Sequence, residues 1–161
     1  GGIAAFLFTL FGVELRNLEA SAEVPMQAPR AKILLVDDNP LFLQILSDAF
    51  RENGFAVVVA SDGIKGVRAY LNEAPEVVIV DLVMPNMGGV STCMEICRLG
   101  RDADPVLILL TSMFKGAPHE HAQAEMGAKI HIPKSTAPLD IVIIVEQLLD
   151  RKRFQEHNRR G

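Results

Sequence analysis

From position 32 onward the apolar residues fall into two alternating patterns. Short runs dominated by branched aliphatic side chains recur as Ile33-Leu34-Leu35-Val36, Val57-Val58-Val59-Ala60, Val77-Val78-Ile79-Val80, Val106-Leu107-Ile108-Leu109-Leu110 and, with polar residues interleaved, Lys129-Ile130-His131-Ile132. Most are too continuous for a strand with one wet face and too short for a helix, so they predict strands buried on both faces. Between them, apolar residues recur at three- and four-residue spacing, which predicts helices. Pro40 suits the first turn of a helix that carries Phe42, Ile45, Leu46, Ala49 and Phe50 and stops at Asn53-Gly54. Ser61-Asp62-Gly63 opens a second helix, reaching about Asn72, and Pro75 separates it from the third strand. A third helix covers about 89–99, a loop with Gly116 and Pro118 leads to a fourth closed by Met126-Gly127, and a fifth runs from Leu139 to about Asp150. Such βα alternation predicts an α/β fold: a five-stranded, doubly wound parallel sheet with right-handed crossovers and helices on both faces.

The flanks differ from this core. Gly1 to Val13 carries no charge and is rich in Phe, Leu and Ile. It is too short to span a bilayer and lacks the basic start of a secretory leader, and the missing initiator Met suits a fragment. Ile3, Phe6, Leu7, Leu10, Phe11, Leu15 and Leu18 keep helical spacing, predicting an N-terminal apolar helix over about 3–20. A poorly ordered tail and a docking or self-associating helix are equally good readings of it. Pro25 and Pro29 mark a linker, so residues 1–30 form an extension, 31–150 the globular domain and 151–161 a basic tail continuing the last helix. With 161 residues, 49% apolar and 22% charged, the chain suits one domain, and a net charge of −4 argues against a nucleic-acid surface. No membrane span is expected, and the setting expected is cytoplasmic. Cys93 and Cys97, four apart on a helix, form neither a good bridge nor a zinc site and read as reduced thiols in or near the core.

Parallel strands deliver their carboxyl ends to one rim, where ligands bind in sheets of this kind. Asp37 and Asp38 end the first strand, Asp81 the third, Thr111 the fourth, and Lys134 follows the fifth; Pro85 and Gly88-Gly89 force a loop after Asp81. A carboxylate closing an apolar run is badly placed for stability and well placed for chemistry. Carboxylates crowded together need a cation, which predicts a hard divalent ion, most simply Mg2+. The Thr111 hydroxyl and the Lys134 ammonium are what a phosphoryl group on an Asp81 oxygen would need around its other oxygens. Taken singly, Asp38 before Asn39-Pro40 could cap a helix, Thr111 a turn, and Lys134 could be solvated. Those readings do not explain why all of them fall on one rim. His131 reads as a semi-buried packing or switch residue, His119, His121 and His157 as solvated, and Met84 and Met87 as loop packing.

With these residues in place, residues 32–150 resemble a response-regulator receiver domain of bacterial two-component signalling. The resemblance rests on Val36-Asp37-Asp38-Asn39-Pro40, on the run from Asp81 through Met84-Pro85-Asn86-Met87 to Gly88-Gly89, on Leu110-Thr111-Ser112, and on Gly127-Ala128 followed by Lys134. It implies strand order 2-1-3-4-5. It also implies that Asp81 is the phosphoacceptor, that Asp38 binds Mg2+ directly, that Asp37 holds a metal-bound water, and that the Val83 carbonyl adds a ligand. Thr111 would bind a phosphoryl oxygen and, with His131, act as the switch, while Lys134 would pair with another oxygen. The implied partners are a sensor histidine kinase or phosphotransfer protein and a downstream output protein, reached through the face of the fourth helix, fifth strand and fifth helix. No direct nucleic-acid contact is implied, and the chain would catalyse only its own phosphorylation and dephosphorylation. Output is expected from a partner or another part of the parent protein. The pattern departs from the family at Ser135, where Pro usually follows the Lys, and at Pro133, Ser112, His131, Lys65 and Gly66. Two competing readings are a haloacid-dehalogenase-like phosphatase, which would need an acid where Val83 stands, and a receiver-like binding module that works without phosphorylation. Apolar Val83 and Met113 predict a dry approach to the phosphorus and slow loss of the group.

Overall fold

The computed structural model of the chain describes residues 27–112 and 130–161. The expected N-terminal helix over 3–20, the fourth helix, Met113, His119 and His121 lie outside the described residues. The elements in order are β1 (Lys32–Val36), α1 (Pro40–Glu52), β2 (Ala56–Ala60), α2 (Gly63–Glu73), β3 (Val77–Asp81), α3 (Gly89–Leu99), β4 (Val106–Thr111), β5 (Ile130–Pro133) and α4 (Pro138–Arg160). All strand pairs are parallel and the order is β2-β1-β3-β4-β5, as the resemblance implies.

Because side chains alternate across a strand, each central strand feeds two cores. Ile33, Leu35, Ile79, Ile108 and Leu110 pack with Leu46 and Phe50 of α1 and with Ile141 and Val145 of α4. Leu34, Val36, Val78, Val80, Leu107 and Leu109 pack on the opposite face with Tyr70 of α2 and with Cys93 and Ile96 of α3. Burial pushes the Cys93 thiol up to about 12, with the nearby Cys97 adding to it. Cys97 itself is exposed, so only one of the two thiols belongs to the core. Among the described residues no helix is long and apolar enough to cross a membrane.

Several boundaries differ from the sequence reading. The buried face of α1 includes Leu43, whereas Ile45 is 46% exposed. α2 runs to Glu73 and ends at Ala74, whose φ of 46° is left-handed. Beyond Asp150, where the apolar part of the last helix stops, α4 continues through the basic tail to Arg160, in line with the reading of that tail as a continuation of the helix. Loss of the apolar stripe ends the burial but not the helix, because Arg, Lys, Gln and Glu are good helix formers and no Pro or Gly intervenes. Polar contacts also anchor this stretch: the Lys152 ammonium donates to the Ala103 carbonyl at 3.2 Å and to that of Asp104, and Arg153 donates to the Arg30 carbonyl at 3.0 Å.

The loop after β3 is pinned closely to the strand it leaves. The Gly89 N–H donates to the Leu82 carbonyl at 3.0 Å. A Cβ at Gly89 would lie 2.2 Å from the Asp81 carbonyl oxygen, a distance no side chain tolerates. Gly89→Ala should therefore force the loop off the end of β3 and cost about 1–3 kcal/mol, the usual range for overpacking. Urea unfolding measures this, and an unchanged midpoint would show that the loop yields without cost.

Candidate functional site

The site begins where β1 ends. The Asp37 N–H donates to the Ala60 carbonyl at 3.1 Å, which extends the β1–β2 ladder by one residue and fixes the backbone of a residue that is only 1% exposed. Its Oδ1 accepts from the Asn39 N–H at 2.8 Å. Asn39, rather than Asp38, caps α1: its Oδ1 accepts from the N–H groups of Leu41 at 3.0 Å and Phe42 at 3.1 Å. With Asn39 in that role, the exposed Asp38 is not needed as a cap.

β3 lies beside β1 and ends in Asp81, which pairs in register with Leu110 and is 4% exposed. Lys134 arrives from beyond β5. Its N–H donates to the Thr111 carbonyl at 2.8 Å, and the turn that carries it is closed by the Thr136 N–H on the Pro133 carbonyl at 3.0 Å. Ser135 in place of Pro is accommodated within that turn. The ammonium reaches Asp37 Oδ2 at 2.6 Å and Asp81 Oδ2 at 3.4 Å. One oxygen from each of Asp37, Asp38 and Asp81 lies within 4.8 Å of the others.

This crowding shifts the protonation equilibria. Burial, then the charge of Asp37 and more weakly that of Asp38, raise the Asp81 pKa, against the opposing pull of Lys134. Burial draws the Lys134 pKa down, but its bonds and charge interactions with Asp37 and Asp81 outweigh this and leave it raised. One ammonium does not balance three carboxylates. Among the described residues, Asp81 Oδ1 is buried without a hydrogen-bond partner. An orphaned carboxylate oxygen beside two further hard oxygen donors fits a divalent cation such as Mg2+.

The remaining expected residues are less tightly gathered. Thr111 ends β4 at the same rim, half-buried, and stands opposite Pro133. Val83 sits in the β3–α3 loop with 68% exposure, so its side chain stands out in solvent. His131 lies back from the rim within β5, opposite Leu109, and burial lowers its pKa. The sequence reading placed Phe42 with the apolar face of α1 and missed its other contact: the Lys134 ammonium lies 4.6 Å from the centroid of its ring. The signal was available, since Phe42 is three residues past the cap and helical side chains lean toward the N-terminus, here toward the rim.

The profile of the family described as "Response regulator receiver domain" matches residues 33–146. Similar proteins include "Probable transcriptional regulator ycf27" of Guillardia theta, 32% identical over 122 residues that make up 76% of this chain and 46% of that protein. "DNA-binding response regulator MtrA" of Mycolicibacterium smegmatis is 29% identical over 126 residues, 78% of this chain and 54% of that protein. The chain thus spans about half the length of these curated relatives. Among solved structures, a response regulator receiver domain protein from Clostridium thermocellum is similar with a TM-score of 0.66 and 26% identity, over 78% of this chain and 98% of that one.

The raised Asp81 pKa has a direct consequence for stability. A carboxyl whose folded pKa exceeds its unfolded value favours the folded state only when protonated, and that benefit is lost as pH rises through the folded pKa. In chelator, Asp81→Asn should therefore be more stable than the wild type near neutrality, with the gap closing as the pH falls toward the carboxylate range. Denaturant unfolding across pH checks this, and a mutant no more stable at neutral pH would contradict the crowding.

Proposed function

The chain belongs to the response regulator receiver domain family, and on that premise we propose that it accepts a phosphoryl group on Asp81 from a histidine kinase or histidine phosphotransfer protein, with Mg2+ bound beside it. The observation that carries this is the state of Asp81: a buried carboxylate at the rim, with Oδ2 facing Lys134 and Oδ1 unpartnered among the described residues.

An ionised oxygen of Asp81 forms the new O–P bond as the donor's P–N bond to histidine breaks, and the imidazole leaves. The nucleophile is already deprotonated, so no general base is needed, and positioning with charge neutralisation does the work. Asp37, Asp38, Asp81 and the Val83 carbonyl would hold Mg2+, which when bound would supply neutralisation of the negative charge at the rim. Lys134, now paired with Asp37, turns toward a phosphoryl oxygen, and the Thr111 hydroxyl takes another. Movement of Thr111 and accommodation at His131 would then carry the change to the face beside β5. Apart from its own phosphorylation and dephosphorylation the chain is not an enzyme in this reading. The output function would lie in a partner, or in further sequence comparable to the rest of its longer relatives, and the setting would be the cytoplasm.

Mass spectrometry after incubation with acetyl phosphate and Mg2+ tests the proposal. One phosphate should appear on Asp81, Asp81→Asn should abolish it, and Asp38→Asn should raise the Mg2+ concentration needed by about tenfold or more. Label that persists in Asp81→Asn would sink the assignment. No label on the wild type would favour a binding module that works without phosphorylation.

A further inference from the structure

We propose that the ring of Phe42 is a positioning residue for Lys134, holding the ammonium at the rim when Asp37 and Asp81 are committed to a cation. The inference rests on the aspartyl-phosphate reading above. The Lys134 ammonium is described with three neighbours: Asp37 Oδ2 at 2.6 Å, Asp81 Oδ2 at 3.4 Å, and the Phe42 ring with its centroid at 4.6 Å. The side chain of Lys134 is only 20% exposed, and a cation against an aromatic face gains most where water is excluded.

The three neighbours respond differently to a divalent cation. A metal bound to the carboxylates draws on the same oxygens that attract the ammonium, and its own charge repels Lys134. The neutral ring of Phe42 is not a metal ligand and keeps its attraction. Lysine is a flexible four-carbon stem, so without a third contact the ammonium would swing toward water just when the phosphoryl group must be met. The ring is itself well fixed. The Phe42 N–H is held by the Asn39 cap at 3.1 Å, and its side chain packs against the core shared by α1 and α4. Leucine could fill the same apolar site but has no ring face to offer.

The test labels Asp81 with acetyl phosphate at saturating Mg2+. Phe42→Leu should slow labelling by about three- to tenfold, the range of a partly desolvated cation–π contact. The Mg2+ concentration giving half the maximal rate should stay unchanged, because Phe42 offers the metal nothing. Phe42→Tyr should restore the rate. Phenylalanines carrying successively more ring fluorines at position 42, which keep the shape and drain the negative face, should lower the rate stepwise. In the Mg2+-loaded wild type the ε-methylene protons of Lys134 should show an upfield ring-current shift that Phe42→Leu removes. A flat fluorine series, or leucine as fast as phenylalanine, would overturn the proposal. If the wild type takes no label at all, the phosphoacceptor reading fails, while the ring-current shift still decides whether Phe42 holds the ammonium.

Discussion

Carboxylates confined at the ends of adjacent parallel strands, with one ammonium between two of them, are the constraint on which the rest of this structure depends. A buried carboxylate needs a partner, and burying like charges together is costly unless a cation offsets it. The sheet order makes the crowding unavoidable. β1 and β3 are neighbours although β2 comes between them in the chain, so Asp37 and Asp81 end side by side. Lys134 must reach across from beyond β5, two strands away from β3, and only a long side chain on a tight turn can do so. Asn39 completes the arrangement by capping α1.

Much of this was legible in the sequence, and for a definite reason. A strand buried on both faces must be apolar throughout, so Val77-Val78-Ile79-Val80 could be read without knowing its neighbours. Once the strands are parallel, a polar residue at the end of each run is placed on one rim by topology alone, which is how Asp37, Asp38, Asp81, Thr111 and Lys134 were found. Side-chain contacts were less legible. In Leu41-Phe42-Leu43 and Ile45-Leu46 apolar residues occupy nearly every direction around α1, so spacing does not say that Leu43 is buried and Ile45 exposed. Phe42 reads as core because an aromatic residue on a helix usually is, and it does pack, partly buried, against the core.

The course of α4 past Asp150 rests on a different physical signal. Apolar periodicity reports burial, and it stops near Leu149. Whether the backbone remains helical beyond that point depends on propensity and on breakers, and the basic segment has good formers and no breaker before Gly161. The sequence reading offered Asp38 alone as a cap for α1, although Asn39 next to it can accept the same N–H groups. The structure makes Asn39 the cap, and the Asp38 carboxylate stands at the rim with those of Asp37 and Asp81.

The fold carries an excess of negative charge at this rim, which a divalent cation would relieve. The most direct measurement is the thermal midpoint as Mg2+ is raised from chelator to saturation, against NaCl at matched ionic strength. Binding to the folded state alone should raise the midpoint by several degrees, roughly 3–4 °C per kcal/mol for a chain of this length, while matched NaCl should give much less. A midpoint that Mg2+ leaves unchanged, or that NaCl raises equally, would show that the three carboxylates do not form a cation site.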